Sequence, residues 1–154
     1  MDMQIVAGYA EIEETTKLFL EYQAWLGEDL TFQYFTEELE TLPGKYAPPE
    51  GRLFLALSEN EFAGCVALRK ISEKGCEMKR LFLREKYRGN GLGRKMAQKI
   101  IAEARTAGYE YMLLDTLESM KGAVGLYRSL GFKEVEPYYF NPLKNTLYFR
   151  LDFG

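Results

Sequence analysis

A chain of 154 residues is long enough to bury a real core, and one domain spanning 1–154 is the default expectation. With 47% apolar residues, 28% charged residues and a net charge of −3, it reads as a soluble globular chain, and no run of 18 apolar residues offers a membrane span. Two cysteines without metal-ligand spacing and no histidine argue against a metal site and rule out a histidine base; no secretory signal opens the chain, and the thiols read as small apolar residues of a reducing cytoplasm.

Met3–Ala7 is a short apolar run that predicts a first strand. Residues 11–26 predict a helix with Leu18, Phe19, Tyr22, Trp25 and Leu26 at helical spacing, ended by Gly27. Residues 30–42 predict a second helix with Phe32, Phe35, Leu39 and Leu42 inward, stopped by Pro43 and Gly44. Residues 52–57 and 62–68 form a hairpin that turns at Glu59 and Asn60, and 76–83 add a third strand to an antiparallel meander. Leu92–Thr106 predicts an amphipathic helix with Leu92, Met96, Ala97, Ile100, Ile101 and Ala104 on one face and Gly108 past its end. A strand over 111–115 follows, then a short helix capped by Ser119 that carries Ala123, Val124, Tyr127 and Leu130. Strands over 132–135 and 146–152 flank an aromatic loop at 137–142.

Charge is divided along this order. Residues 1–60 hold twelve acids and three bases, whereas 61–154 hold eleven acids and seventeen bases. Residues 79–99 alone contain eight Lys or Arg against one acid, Glu85. A strand, a glycine-rich turn and a helix N-terminus follow one another here, which is how a chain builds an anion site: free N–H groups and the helix dipole point at the turn. A solvated basic face is the alternative. The Walker pattern fails because Arg94 and Lys95, not Lys-Ser or Lys-Thr, follow Gly93, and the dinucleotide fingerprint lacks its third small residue. What fits is R-x-x-G-x-G at Arg88, Gly91 and Gly93. An isoelectric point near 5.2 and no basic helix with base-reading side chains argue against nucleic acid as the partner.

At these residues the chain resembles the GNAT superfamily of N-acetyltransferases, whose acyl-CoA motif is this turn. The run from Ala123 to Phe132, A-x-x-x-Y-x-x-x-G-F with Leu126 before Tyr127, resembles that family's second signature; Met120 stands where the family has an asparagine seven places before the tyrosine. The resemblance covers essentially the whole chain. It implies an α/β (α+β) GNAT acyl-CoA N-acyltransferase fold, a mixed central sheet of about seven strands flanked by about four helices. It implies acetyl-CoA as co-substrate with no metal, held by the backbone of Leu81, Phe82 and Leu83 and by Arg88, Gly89, Asn90, Gly91, Leu92, Gly93 and Arg94.

By the same resemblance Tyr127 protonates the departing sulfur, and Glu77 serves as the base for a primary amine of a small molecule or peptide. Glu77 would need burial or a water relay for that task, because an ordinary carboxylate lies about six units, roughly 8 kcal/mol, below an amine. An ion pair with Lys79 or Arg80 is its structural alternative. Tyr22, Trp25, Phe32, Tyr34, Phe35 and Tyr46 either line the acceptor site or fill the core, and Asn141 is expected to face the acceptor. The aromatic tail, 138–149, suits either a homodimer contact or a roof over the site. A non-catalytic acyl-CoA-binding sensor on the same fold is the second functional reading.

Overall fold

The computed structural model describes residues 3–30 and 33–154. Its strands are β1 (Met3–Ala7), β2 (Arg52–Ser58), β3 (Glu61–Lys70), β4 (Gly75–Leu83), β5 (Tyr111–Leu117), β6 (Lys133–Val135) and β7 (Thr146–Asp152). They form one seven-stranded sheet in the order β1-β2-β3-β4-β5-β7-β6. Neighbours run antiparallel except β4 and β5. That parallel pair needs a crossover, which helix α3 (Leu92–Thr106) supplies. This mixed sheet, flanked by four α-helices among the described residues, is the architecture expected from the sequence.

Two cores lie on opposite faces of the sheet. Helix α3 lays Leu92, Met96, Ala97, Ile100 and Ala104 against Val66, Leu68, Met78 and Met112, joined there by α4 (Lys121–Ser129) through Tyr127. On the other face α1 (Ile12–Leu26) brings Leu18 and Phe19 onto Leu53, Leu55, Cys65, Ala67 and Phe82. The left-handed Gly27, at φ 71°, closes α1 with backbone bonds to Gln23 and Ala24.

The second helix is shorter than its apolar pattern predicts. α2 covers only Phe35–Glu40, because Tyr34 before it sits in the left-handed region at φ 58°, which a helix interior cannot hold. Phe32 lies outside the described residues. Phe35 and Tyr46 are core, Tyr34 is exposed, and of the expected acceptor-lining aromatics Tyr22 and Trp25 reach the cleft described below. Ser119 precedes α4 but does not cap it; Met120 occupies the cap position without a side-chain bond.

Two irregularities of β4 shape the molecule's centre. Lys79 pairs with Ala67 and Phe82 with Cys65, so Arg80 and Leu81 together oppose Val66 alone. This is a β-bulge, with Arg80 at φ 61°. Its consequence is a change of face. Met78 packs on the α3 side and Phe82 on the α1 side, although strict alternation would put them on the same side. The bulge turns Lys79 and Arg80 to the α1 side in succession. Gly64 lies beside it because a Cβ there would come within 2.2 Å of the Phe82 carbonyl. The Cys65 thiol donates to the Arg80 carbonyl at 3.2 Å, so this cysteine tethers the bulge rather than merely filling space.

The second irregularity is a parting of strands. β4 pairs with β5 only at Gly75, Cys76 and Glu77, opposite Tyr111, Met112 and Leu113. Beyond Leu113, β5 stays with β7 up to Leu117 while β4 leaves it. The result is a wedge open at the carboxyl ends of two parallel strands, where α/β sheets place their ligands.

Candidate active site

The glycine-rich turn stands at the mouth of this wedge. Gly89 and Gly91 take φ values of 85° and 76°, open only to residues without a Cβ penalty. Gly91 is the N-cap of α3 and no side chain caps the helix. The Lys95 amide is the first to bond back, to the Gly91 carbonyl at 3.2 Å, which leaves the amides of Leu92, Gly93 and Arg94 as free helix-end donors. Gly89, Asn90 and Gly91 are exposed, so these donors are open to an anion.

Fewer cations serve the turn than the charge count suggested. Arg84 is clamped bidentately by Glu21 at 2.8 and 2.7 Å, Lys86 pairs with Glu61, and Lys99 with Glu103. Lys79 and Arg80 point into the cleft. Arg88, Arg94 and Lys95 remain beside the turn. Arg88 donates to the Leu83 carbonyl at 2.8 Å and lies 4.8 Å over the Trp25 ring, while Arg94 donates to Ser129 Oγ at 2.6 Å.

Between the parted strands lies a narrow cleft of about 60 Å³ that opens to solvent. Leu81, Met120, Ala123 and Tyr127 line its α3 side. Leu83 packs near Gly93, where a Cβ would make an ordinary contact at 3.6 Å. Phe82 faces the other way, against Trp25 and Tyr22. Tyr127 is 6% exposed, and its ring meets Phe132 and Phe149. Its hydroxyl takes no hydrogen bond from the described residues. Burial, and then the neighbouring Tyr22 and Asp115, push its pKa well above the ordinary phenol value. It therefore stays protonated and available as a donor.

The α1 side of the cleft holds a polar network that sequence reading did not anticipate. Arg80 forms two 3.0 Å bonds to the carboxylate of Glu38 and one of 2.9 Å to Gln33 Oε1. Lys79 donates to the same Gln33 oxygen at 3.0 Å. The Gln33 amide donates to the Tyr139 hydroxyl at 3.3 Å, and Tyr139 in turn donates to Asp115. Asn141 Nδ2 reaches the Tyr139 hydroxyl at 3.0 Å. Asp115 and Asn141 both line the cleft. The aromatic tail thus turns Tyr138 and Tyr139 inward as a roof and leaves Phe140 exposed. The sequence signal for this network was thin: Gln33 and Asp115 are isolated polar residues in otherwise apolar or aromatic surroundings.

Glu77 is buried behind that network rather than in the cleft. Arg69 Nε donates to one of its oxygens at 2.7 Å, the Tyr138 hydroxyl to the other at 2.6 Å, and Lys79 stands 3.9 Å away. Desolvation pushes its pKa up, but the charges of Lys79 and Arg69 and the two hydrogen bonds together outweigh it, and the net shift is downward. The raised pKa that a base at this position requires is not what its neighbours produce. Its ion pair is real, with Arg69 as the near partner. Among the described residues no cluster of three His, Cys, Asp or Glu could hold a metal ion.

A wedge between parallel strands, with an uncapped helix end at its mouth and a tyrosine on its wall, can hold an anion at one end and offer a hydrogen-bond donor inside. The sequence profile of the Acetyltransferase (GNAT) family matches residues 13–132, and the chain belongs to that family. It is 43% identical to an uncharacterized N-acetyltransferase of Schizosaccharomyces pombe over 92% of this chain and 88% of the relative. An acetyltransferase from Streptococcus agalactiae superposes with a TM-score of 0.79 at 25% identity, covering 98% of both chains. A GNAT acetyltransferase from Elizabethkingia anophelis, solved with acetyl-CoA bound, gives 0.71 at 22% identity, again over 98% of both chains.

Proposed function

We propose that this acetyltransferase moves an acetyl group from acetyl-CoA directly to a primary amine, without a covalent enzyme intermediate. The parting of β4 from β5 beside Tyr127 carries this reading, because it joins a backbone anion site to a cleft with a hydrogen-bond donor on its wall. Family membership, and the acetyl-CoA bound in the Elizabethkingia structure, support it. The residues present suit the cofactor. The amides of Leu92, Gly93 and Arg94 with Gly89 to Gly91 would receive the diphosphate, Arg88 and Arg94 would flank it, and Leu81, Met120 and Ala123 would enclose the pantetheine arm. The freed edge of β4 beside Leu81 and Leu83 would offer amides to the arm and to the carbonyl oxygen as it gains charge, whereas the Phe82 amide, two residues before the Arg84 amide that bonds Ala63, turns toward β3. Acetyl-CoA supplies the activated thioester.

Proton traffic balances in this cleft. The amine loses one proton and the departing sulfur gains one. Tyr127 holds the donor position; because its pKa lies far above that of a thiol near 8.5, it keeps its proton and donates a hydrogen bond that stabilises the departing thiolate, which takes its proton from solvent. Among the described residues Asp115 is the carboxylate that lines the cleft, and on that position alone we assign it the amine's proton in place of Glu77, which suits an amine that arrives in its neutral form. Solvent exchange then carries the proton from Asp115 and resets it. Release of CoA thiol with a panel of primary amines tests the function. Tyr127→Phe should lower kcat about 10–100-fold while leaving the KM for acetyl-CoA unchanged. Unaltered turnover in that variant would remove Tyr127 from the chemistry, and tight CoA binding without turnover on any amine would favour the sensor.

A further inference from the structure

Lys79 is the one cation in the cleft whose charge is poorly matched. Its side chain is 7% exposed and lines the cleft, yet its only hydrogen bond among the described residues goes to Gln33 Oε1, which leaves two of its three donors without a partner among those residues. Glu77, at 3.9 Å, is beyond hydrogen-bond distance and already holds Arg69 and Tyr138. The surrounding charges do not cancel. Four cations, Lys45, Arg69, Lys79 and Arg80, face three carboxylates, Glu38, Glu77 and Asp115. A buried cation left with unfilled donors is costly unless something anionic joins it.

The missing anion is not the cofactor's diphosphate. That group belongs, on the reading above, at the α3 side of the sheet, and the bulge turns Lys79 and Arg80 to the α1 side. Nor does the site suit a dianion: the excess is a single positive charge, and three carboxylates stand nearby. The rest of this wall is apolar, made by Tyr22, Trp25, Leu26, Leu30 and Leu143. Asp115 is joined to Lys79 through Tyr139 and Gln33, which sets a negative and a positive group along one wall of the same cleft.

We propose that the acceptor is an apolar α-amino acid, its carboxylate held by Lys79 with Gln33 and Arg80 behind it, and its amine turned toward Asp115 and the thioester. This rests on the acetyl-transfer reading for the fate of the amine, but the carboxylate site itself is a matter of binding. Gln33 fixes the Lys79 ammonium and Arg80 in register, and the aromatic wall takes the side chain. Burial, then Arg80 and Lys45, pull the Lys79 pKa down to about 8 against the opposing charges of Glu77 and Asp115. Affinity for the carboxylate therefore falls as pH rises through that value.

The test compares matched pairs by calorimetric titration, with and without saturating CoA: L-phenylalanine against 2-phenylethylamine, and L-leucine against 3-methylbutylamine. The amino acids should bind at least about tenfold tighter, the advantage of a charge-assisted pair. Lys79→Met should erase that advantage while keeping the affinity for CoA, and Gln33→Leu should reduce it. Equal binding of the amines, no binding by any of the four, or a preference that survives Lys79→Met would overturn the proposal. CoA release is measured separately. Bound amino acids that are never acetylated would defeat the transfer reading alone, whereas acetylation of the amines without preference would defeat the carboxylate site alone.

Discussion

The two sides of β4's outer half are built on opposite plans. On the α3 side stand the bare amides of an uncapped helix end and glycines at positive φ, with cations from the same short segment around them. On the α1 side stand buried charged and polar side chains, most of them held by residues far along the chain, with Lys79 left short of partners among the described residues. Arg80 meets Glu38 42 residues away, Tyr138 meets Glu77 at 61, and Gln33 meets Tyr139 at 106. A backbone anion site needs only local conformation, so it tolerates change in most side chains. A buried network needs every partner, because each orphaned charge carries its own desolvation cost. The first plan recognises a ligand by charge at the backbone, and the second tells ligands apart by the chemistry of its side chains.

Breaking the second plan should have the largest effect. Arg80→Met leaves Glu38 buried with Lys45 as its remaining partner, and about 3–5 kcal/mol of stability should be lost in denaturant unfolding. If the loss is under about 1 kcal/mol, the network is not a structural keystone. Next come the two carboxylates. Asp115→Asn should lower kcat about 100-fold, equivalent to about 2.7 kcal/mol, with the fold intact. Glu77→Gln should cost stability and spare more of the rate; the reverse ranking would return the base to Glu77.

The first plan is sharpened by paired glycine variants. Gly91→Ala forces a Cβ into the left-handed region and should cost about 1–2 kcal/mol of stability. Gly93→Ala meets only ordinary contacts with Leu83 and Leu126, so stability should stay within about 0.5 kcal/mol, while on the proposed diphosphate site the affinity for CoA should fall as the backbone is less closely approached. Unchanged CoA affinity in the Gly93 variant would move the diphosphate elsewhere. The gentlest probe is acid. Glu38 and Glu77 both have pKa values lowered from 4.5, so their contribution is fully present above that pH and is lost as pH falls through their lower folded values. Glu77→Gln should flatten the acid side of the stability curve, as followed by unfolding midpoints between pH 7 and pH 3.

Much of the molecule was legible from residue order. The apolar period of Leu92–Thr106, the alternation of the meander and the spacing of Arg88, Gly91 and Gly93 each reflect one segment's own geometry, and the strand–turn–helix unit follows from them. Periodicity misled where a local conformation broke it, as at Tyr34, whose left-handed φ delays α2. Composition misled over charge, since the cations of residues 79–99 divide between the turn, surface pairs and the cleft.

Residue order alone determined most of the individual strands, the amphipathic helix over 92–106 and the glycine turn, because hydrophobic period and backbone freedom are properties of neighbouring residues, and the resemblance of two short motifs implied the mixed sheet that joins them. The tertiary structure decided which way Lys79 and Arg80 face, where β4 leaves β5, and which carboxylate lines the cleft. Those depend on one extra residue opposite Val66 and on partners from α2 and the aromatic tail, and a contact across a hundred residues leaves no mark on either segment by itself.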